Sequence, residues 1–214
     1  MSKSDGSGQL TRRLLQVAGT TYAAEAGIRL NDKPMPLFQL LVLCMLASKP
    51  INAATAVRAA RELFDAGLRT PKSVLASDRR TMISAFGRAH YVRYDESSAT
   101  RLTDIAEHVR DEYAGDLRGI ADRSKHDVHA AKRMIKQFKG IGDTGADIYL
   151  REVQDVWTWV RPYFDDRATS AARQLGLPTA PTKLAALAPR ANARLAAALV
   201  RASLDDEVRR QLTG

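Results

Sequence analysis

The sequence is poor in the residues that several common protein classes require. It has a single cysteine, Cys44, among 214 residues, so it cannot form an internal disulfide or a cluster of metal-binding thiolates. The longest apolar run, PLFQLLVLCMLA, is interrupted by Gln39 and is shorter than a membrane-spanning helix. This run predicts a buried helix and no membrane association, with Cys44 as a small core residue or, alternatively, a catalytic thiol.

The N-terminal segment MSKSDGSG lacks the apolar stretch of a secretory signal. We therefore expect a disordered start and a cytoplasmic protein. Acidic residues are also in deficit, with 24 Asp and Glu against 33 Lys and Arg, for a formal charge of +9. Such an excess favours a polyanionic partner that binds in a salt-dependent way, although a solvated basic surface is the simpler alternative.

Apolar residues at helical spacing extend over most of the chain and predict an all-α protein. One helix is expected over LTRRLLQVAGTTYAAEAGIRL, and Asn52 is expected to cap another that stops at Gly67. Thr70 and Pro71 have the residue types of an N-cap and a first helical position. ESSATRLTDIAEHVRDEYAG predicts a long helix whose buried stripe contains Leu102, Ile105, Ala106 and Val109.

The segment KQFKGIGDTGADIYLREV predicts two helices joined by a tight turn. One helix is expected to end near Lys139 and the next to begin near Asp143. Gly140 and Gly142 can adopt positive φ angles, and Ile141 can point into the core. The free N–H groups that begin the second helix can approach a phosphate, with Lys136 and Lys139 nearby. A helix–helix turn without any ligand is the alternative.

FKGIGDTGADIYL, followed by PYFDDRATSAARQLGLP, resembles the helix-hairpin-helix DNA glycosylase superfamily, which includes endonuclease III and the adenine and alkylpurine glycosylases. The family signature is a glycine hairpin, then an aspartate that opens a helix, then a Leu-Gly. Residues 138–142 match the hairpin, Asp165 or Asp166 matches the aspartate, and Leu175 with Gly176 matches the close. A weaker similarity extends upstream to residue 34.

The resemblance implies two helical lobes with a DNA-binding cleft between them. We expect a helix within residues 1–33 that packs with the C-terminal lobe. Residues 34–160 would form a helical domain containing the helix-hairpin-helix at about 134–152, and residues 161–214 the C-terminal lobe. The partner would be double-stranded DNA at the nucleoid, and the protein a monomer.

The resemblance also implies a base-excision activity that hydrolyses the N-glycosidic bond of a damaged or mispaired base. Spacing from Leu175 favours Asp165 as the catalytic carboxylate, whereas the Pro-Asp-Asp form of the alkylpurine branch favours Asp166. Both could instead be helix caps. Family members that also nick DNA carry a lysine where this chain has Thr144, so we expect a monofunctional glycosylase with weak or absent lyase activity. The alternative is a DNA-binding protein without catalysis.

Further residues follow from the same resemblance. Lys49 lies where family members fill the hole left by the flipped base, and Tyr91 and Tyr94 are candidates for lining the base pocket. Asp143, next to the hairpin, would place a negative charge against phosphate. No cysteines stand near the C-terminus to hold an iron–sulfur cluster, and the four histidines lack metal-ligand spacing. We expect no cofactor, except that the hairpin carbonyls could hold a monovalent cation.

Overall fold

The protein is all-α across residues 3–213, which are the residues that the computed structural model describes. A single 3₁₀ turn, Thr158–Val160, interrupts the series. The helices, numbered in chain order, are α1 Lys3–Ala18, α2 Tyr22–Glu25, α3 Pro34–Ala47, α4 Ala53–Asp65, α5 Pro71–Leu75, α6 Arg79–Arg88, α7 Asp95–Tyr113, α8 Gly119–Arg123, α9 Val128–Ile135, α10 Asp143–Val153, α11 Asp166–Gln174, α12 Pro181–Leu187, α13 Asn192–Leu204 and α14 Asp206–Thr213.

The chain divides into two compact units. The terminal unit contains Met1–Tyr22 and Leu150–Gly214, and the central unit contains Ala23–Tyr149. The sequence suggested divisions at residues 33 and 160, whereas the structure divides the chain after Tyr22 and after Tyr149. The second division falls inside α10: residues 143–149 of this helix belong to the central unit and residues 150–153 to the terminal unit.

The terminal unit is built on the alanine-rich helix α13. Helices α1, α11 and α14 pack against α13, and α12 packs against α1. The small side chains of α13 let its neighbours approach closely, so Leu14 of α1 and Ala172 of α11 share one core with Leu195 and Leu199. The expected N-terminal helix is two helices, since α1 ends at Ala18 and α2 begins at Tyr22. The predicted disordered start is wrong from Lys3 onward, where α1 begins.

The central unit surrounds α3, whose residues Leu37–Phe38 and Leu40–Leu46 are completely buried. Helix α4 packs against α3 and α6, and α7 packs against α3, α5 and α6. The predicted stripe on α7 is confirmed, since Leu102, Ile105, Ala106 and Val109 all have no exposed surface. Cys44 is also buried, in agreement with the prediction of a core residue.

Candidate nucleic-acid interface

The turn between α9 and α10 is a glycine-containing reversal of seven residues, 136–142. It is longer than expected, because α9 already ends at Ile135 while α10 begins at Asp143 as predicted. Gly140 has φ +90°, a conformation that side chains rarely tolerate. Phe138 and Ile141 are 1% and 4% exposed. The buried side chains of Phe138 and Ile141 therefore anchor the turn to the core of the central unit.

Two helices of the central unit hold this turn in place. The Phe138 ring lies 4.6 Å from His108 and 5.7 Å from Tyr113, both on α7, measured between ring centroids. The N-terminus of α10 approaches the end of α3 so closely that a Cβ atom on Gly145 would lie 2.3 Å from Ser48 Oγ. A larger residue at this position would force the Ser48 and Ile141 side chains to shift.

The N-terminus of α10 is open to solvent. Gly142, Asp143 and Thr144 are exposed, and a Cβ atom on Gly142 would meet nothing within 4 Å. The first turn of a helix carries N–H groups without an intrahelical partner, and the helix dipole makes this end positive. The arrangement can therefore bind an anionic group through main-chain donors.

Acidic residues neutralise part of the charge around the turn. Lys136 Nζ donates a 2.8 Å hydrogen bond to the Asp143 carboxylate, and this bond lowers the pKa of Asp143. Lys139 Nζ lies 3.4 Å from Asp104 on α7, with 73% of its side chain exposed. A phosphate at the turn would have to share Lys136 with Asp143, whereas Lys139 can reach it from solvent.

A cluster of cations and one aromatic ring continues from the turn. This basic patch contains Lys49, Arg93, Tyr94 and Arg101. Lys49 Nζ lies 5.8 Å and the Arg93 guanidinium 5.4 Å from the centre of the Tyr94 ring. Partial burial and the nearby charge of Arg101 lower the pKa of Lys49. Arg101 also joins the patch to the turn, because a Cβ atom on Gly140 would lie 2.8 Å from its Cδ.

The two candidate pocket tyrosines lie in different environments. Tyr91 is 3% exposed, its hydroxyl is 3.2 Å from Ser98 Oγ, and burial raises its pKa. Tyr91 is thus a core residue in this conformation, whereas Tyr94 is half-buried within the basic patch. Val92, between them, is 64% exposed. It is an isolated aliphatic residue in the polar stretch RAHYVRYDES, and this sequence feature could have drawn attention to it.

The aspartates occupy different positions at the start of α11. Asp165 is the N-cap, and its Oδ1 accepts a 2.9 Å hydrogen bond from the Ala168 N–H. Its other oxygen accepts a hydrogen bond from Arg151 Nη1, and only 6% of the Asp165 side chain is exposed. Asp166 is the first helical residue and is exposed. Leu175 is the C-cap of this helix, and Gly176 follows it with φ +71°.

The loop before Asp165 is fixed by a buried glutamine. Gln154 has no exposed surface. Its amide donates to the Tyr163 carbonyl and accepts from the Tyr163 N–H, both at 2.9 Å. Neither Gln154 nor Arg151 was singled out from the sequence, since the spacing of polar residues near the end of α10 does not reveal which of them are buried.

No three His, Cys, Asp or Glu side chains in the described part of the chain form a group that could hold a metal ion. No helix among residues 3–213 is both long and apolar enough to cross a membrane. No family model matches the chain, and no curated protein or solved structure matches it either.

Proposed function

We propose that the protein is a monofunctional DNA glycosylase that acts on double-stranded DNA. The observation that carries the proposal is the exposed N-terminus of α10, reached through a glycine turn and continuous with a basic patch. Bare main-chain donors at a helix N-terminus are suited to a phosphate. Contacts of this kind position a DNA backbone without reading its sequence, as an enzyme that scans for damaged bases requires.

The basic patch supports DNA binding from the side chains. Lys49, Arg93 and Arg101 supply positive charge next to the turn, and Tyr94 supplies a ring on which a base could stack. Phosphate neutralisation by such cations releases counterions and gives salt-dependent affinity. DNA as the substrate would put the protein at the nucleoid, in the cytoplasm.

We assign the catalytic role to Asp166. Hydrolysis of an N-glycosidic bond builds positive charge on the sugar, as in other glycosidic cleavage, and a carboxylate near C1′ stabilises this charge. The carboxylate must be accessible once the base has been flipped out of the helix. Asp166 meets this condition because it is exposed, whereas Asp165 is engaged by Arg151 and by the main chain of α11. Asp165 would then position the helix that carries Asp166.

The residues near the turn favour hydrolysis without a covalent intermediate. Thr144 is exposed at the first turn of α10, and no lysine occurs between Lys139 and Lys183. A Schiff base with C1′ requires a lysine or another amine. We therefore propose that water, and no side chain of α10, attacks the sugar, and that the strand stays intact after the base is released.

A second candidate function is DNA binding without catalysis. The buried pair of Arg151 and Asp165 favours it, because the aspartate that the family spacing selects first has a structural role as both helix cap and ion-pair partner. In this interpretation the turn and the basic patch bind duplex DNA, and Asp166 is an ordinary acidic residue at the start of a helix.

One assay distinguishes the two candidates. Duplexes carrying uracil, alkylated purines, oxidised bases or mismatches are incubated with the protein and then treated with or without alkali. If the protein is a glycosylase, strand breaks should appear only after alkali. No covalent complex should form in the presence of borohydride, and Asp166→Asn should lose activity. Binding of duplex DNA with no release of any base from this panel would favour the second candidate.

A further inference from the structure

A large cavity lies at the beginning of α3, within the central unit. Its volume is about 1060 Å³, and its walls come from residues 26–36, α3, α4 and the end of α6. Gly145, in the first turn of α10, contacts the opposite end of α3, at Ser48. With a helical rise of about 1.5 Å per residue, Pro36 and Ser48 are roughly 18 Å apart along the axis. The cavity is therefore separate from the proposed DNA interface.

The cavity walls carry a strong excess of positive charge. Two acidic residues line it, and both have partners: Glu62 lies 2.6 Å from Arg88, and Asp65 lies 3.8 Å from Arg69. Four further cations line the cavity: Arg29, Lys33, Arg58 and Arg61.

Three of these four cations are available to a ligand. Arg58 donates to Thr55 at 3.2 Å. Among the described residues, the side chains of Arg29, Lys33 and Arg61 have no hydrogen-bond or ion-pair partner. Guanidinium groups bind phosphate through paired N–H donors. The cavity therefore has the donors that a phosphate group requires, and they are not occupied by the protein's own carboxylates.

A largely buried polar side chain of α3, Gln39, lines the cavity. Gln39 is 7% exposed, although its neighbours Leu37, Phe38, Leu40 and Leu41 are apolar and have no exposed surface. Gln39 lines the cavity, and no other residue in the described ranges forms a hydrogen bond with its amide. The amide of Gln39 is therefore free to form hydrogen bonds with a ligand in the cavity.

We propose that this cavity binds a nucleotide, with its phosphate on Arg29, Lys33 and Arg61 and its base against Gln39. Glutamine can form a bidentate pair with the N6 and N7 atoms of adenine, which makes an adenine nucleotide the best match. Met35, 44% exposed and also lining the cavity, offers a polarisable surface for the base. Inorganic phosphate alone would leave most of this volume and Gln39 unused.

Two kinds of ligand carry a phosphate on an adenine nucleoside: a free mononucleotide and the 5′-phosphorylated end of a nucleic acid strand. Calorimetric titration of the full chain with AMP, adenosine and inorganic phosphate tests the site. Competition by short deoxyadenosine strands with 5′-phosphate or 5′-hydroxyl ends distinguishes the sources. A strand that displaces AMP only when phosphorylated identifies the strand end, and no displacement by either strand identifies the free nucleotide.

The variants are the double variant Arg29→Gln with Arg61→Gln and, separately, Gln39→Leu. Arg80→Gln, which removes one exposed charge on α6, is the control. We expect AMP to bind more tightly than adenosine or phosphate. The double arginine variant should weaken AMP binding by about tenfold or more, Gln39→Leu should reduce the preference for AMP over CMP, and Arg80→Gln should change neither. Thermal melting checks that each variant is folded. If Gln39→Leu does not fold, the double arginine variant alone still tests the proposal.

The proposal is overturned if neither AMP nor a phosphorylated strand binds the wild-type protein. It is also overturned if AMP binding weakens by the same factor per charge removed in the double arginine variant and in Arg80→Gln, because the attraction would then be a property of the overall charge. Binding of damaged duplex DNA is measured in the same variants and should be unchanged, so this test does not depend on the proposed glycosylase activity.

Discussion

The guanidinium of Arg151 donates a hydrogen bond to the carboxylate of Asp165, and the two side chains are only 3% and 6% exposed. This pair joins the last turn of α10 to the first residues of α11 within the terminal unit. Both ions have lost most of their hydration, so each depends on the other for compensation. The pair fixes where α11 begins and therefore where Asp166 lies.

Asp165→Asn should destabilise the protein more than its conservative chemistry suggests. Asparagine caps helices as well as aspartate does, but it removes the carboxylate that both hydrogen-bonds and most strongly attracts the buried Arg151, which then has only the weaker attraction of Glu152. We expect a loss of about 3–5 kcal/mol in the free energy of unfolding, measured by urea denaturation. The matched control Asp166→Asn changes an exposed residue and should cost less than about 1 kcal/mol. Equal effects of the two substitutions would contradict this assignment.

Local features of the fold could be predicted from the sequence. Asn52 caps α4 by accepting from the Ala54 N–H at 2.8 Å, and Thr70 caps α5 ahead of Pro71 in a capping box with Ser73. These features depend on residues only two or three positions apart, so the sequence contains all the information they need. The start of α10 at Asp143 follows from local glycine chemistry in the same way.

The partners of the candidate site residues could not be predicted, because they depend on how helices pack. Arg151 is 14 positions from Asp165 in the chain, and nothing in LREV distinguishes a buried arginine from an exposed one. Arg101 reaches Gly140 only because α7 packs beside the turn. Tyr91 and Tyr94 have similar sequence surroundings, yet only Tyr91 is buried, with its ring beside Phe86 and its hydroxyl beside Ser98.

Substitution of the two turn glycines should separate folding from DNA binding. Gly140→Ala requires a side chain at φ +90° and a contact of 2.8 Å with Arg101, so we expect a destabilisation of about 1–3 kcal/mol. Gly142→Ala adds a methyl group in open space and should cost about 1 kcal/mol or less. The same methyl group would obstruct a phosphate, so duplex affinity should fall in a gel-shift titration. Unchanged affinity in folded Gly142→Ala would show that DNA does not approach α10 here.

Asp143→Asn should strengthen DNA binding. The substitution removes a negative charge from the proposed phosphate site and releases Lys136, whose Nζ is 2.8 Å from the Asp143 carboxylate. We expect a several-fold gain in affinity and a steeper salt dependence, by about 0.9 in the logarithmic slope for one additional phosphate contact. Asp111→Asn, which breaks an exposed pair with Arg110, is the control for overall charge. An equal gain in this control would rule out a local effect.

The pH dependence of DNA affinity should reveal Lys49. Its pKa is lowered from the ordinary value of 10.5 by burial and by Arg101, so it loses its proton at a lower pH than an ordinary surface lysine. A bound phosphate favours the charged form, and affinity should therefore fall as pH rises through this lowered pKa. Lys49→Arg keeps its charge over this range and should show a smaller fall. Superimposable pH profiles for the two proteins would exclude Lys49 from the interface.

The central claim is that Asp166, at the start of α11, catalyses base release in a protein that binds DNA through the turn before α10. Single-turnover base release and duplex binding, measured side by side for wild type and Asp166→Asn on the best lesion of the panel, test it most directly. We predict that Asp166→Asn binds the duplex as wild type does and releases base at least about 100-fold more slowly. Base release at the wild-type rate by Asp166→Asn, or no base release by the wild-type protein from any lesion, would contradict it.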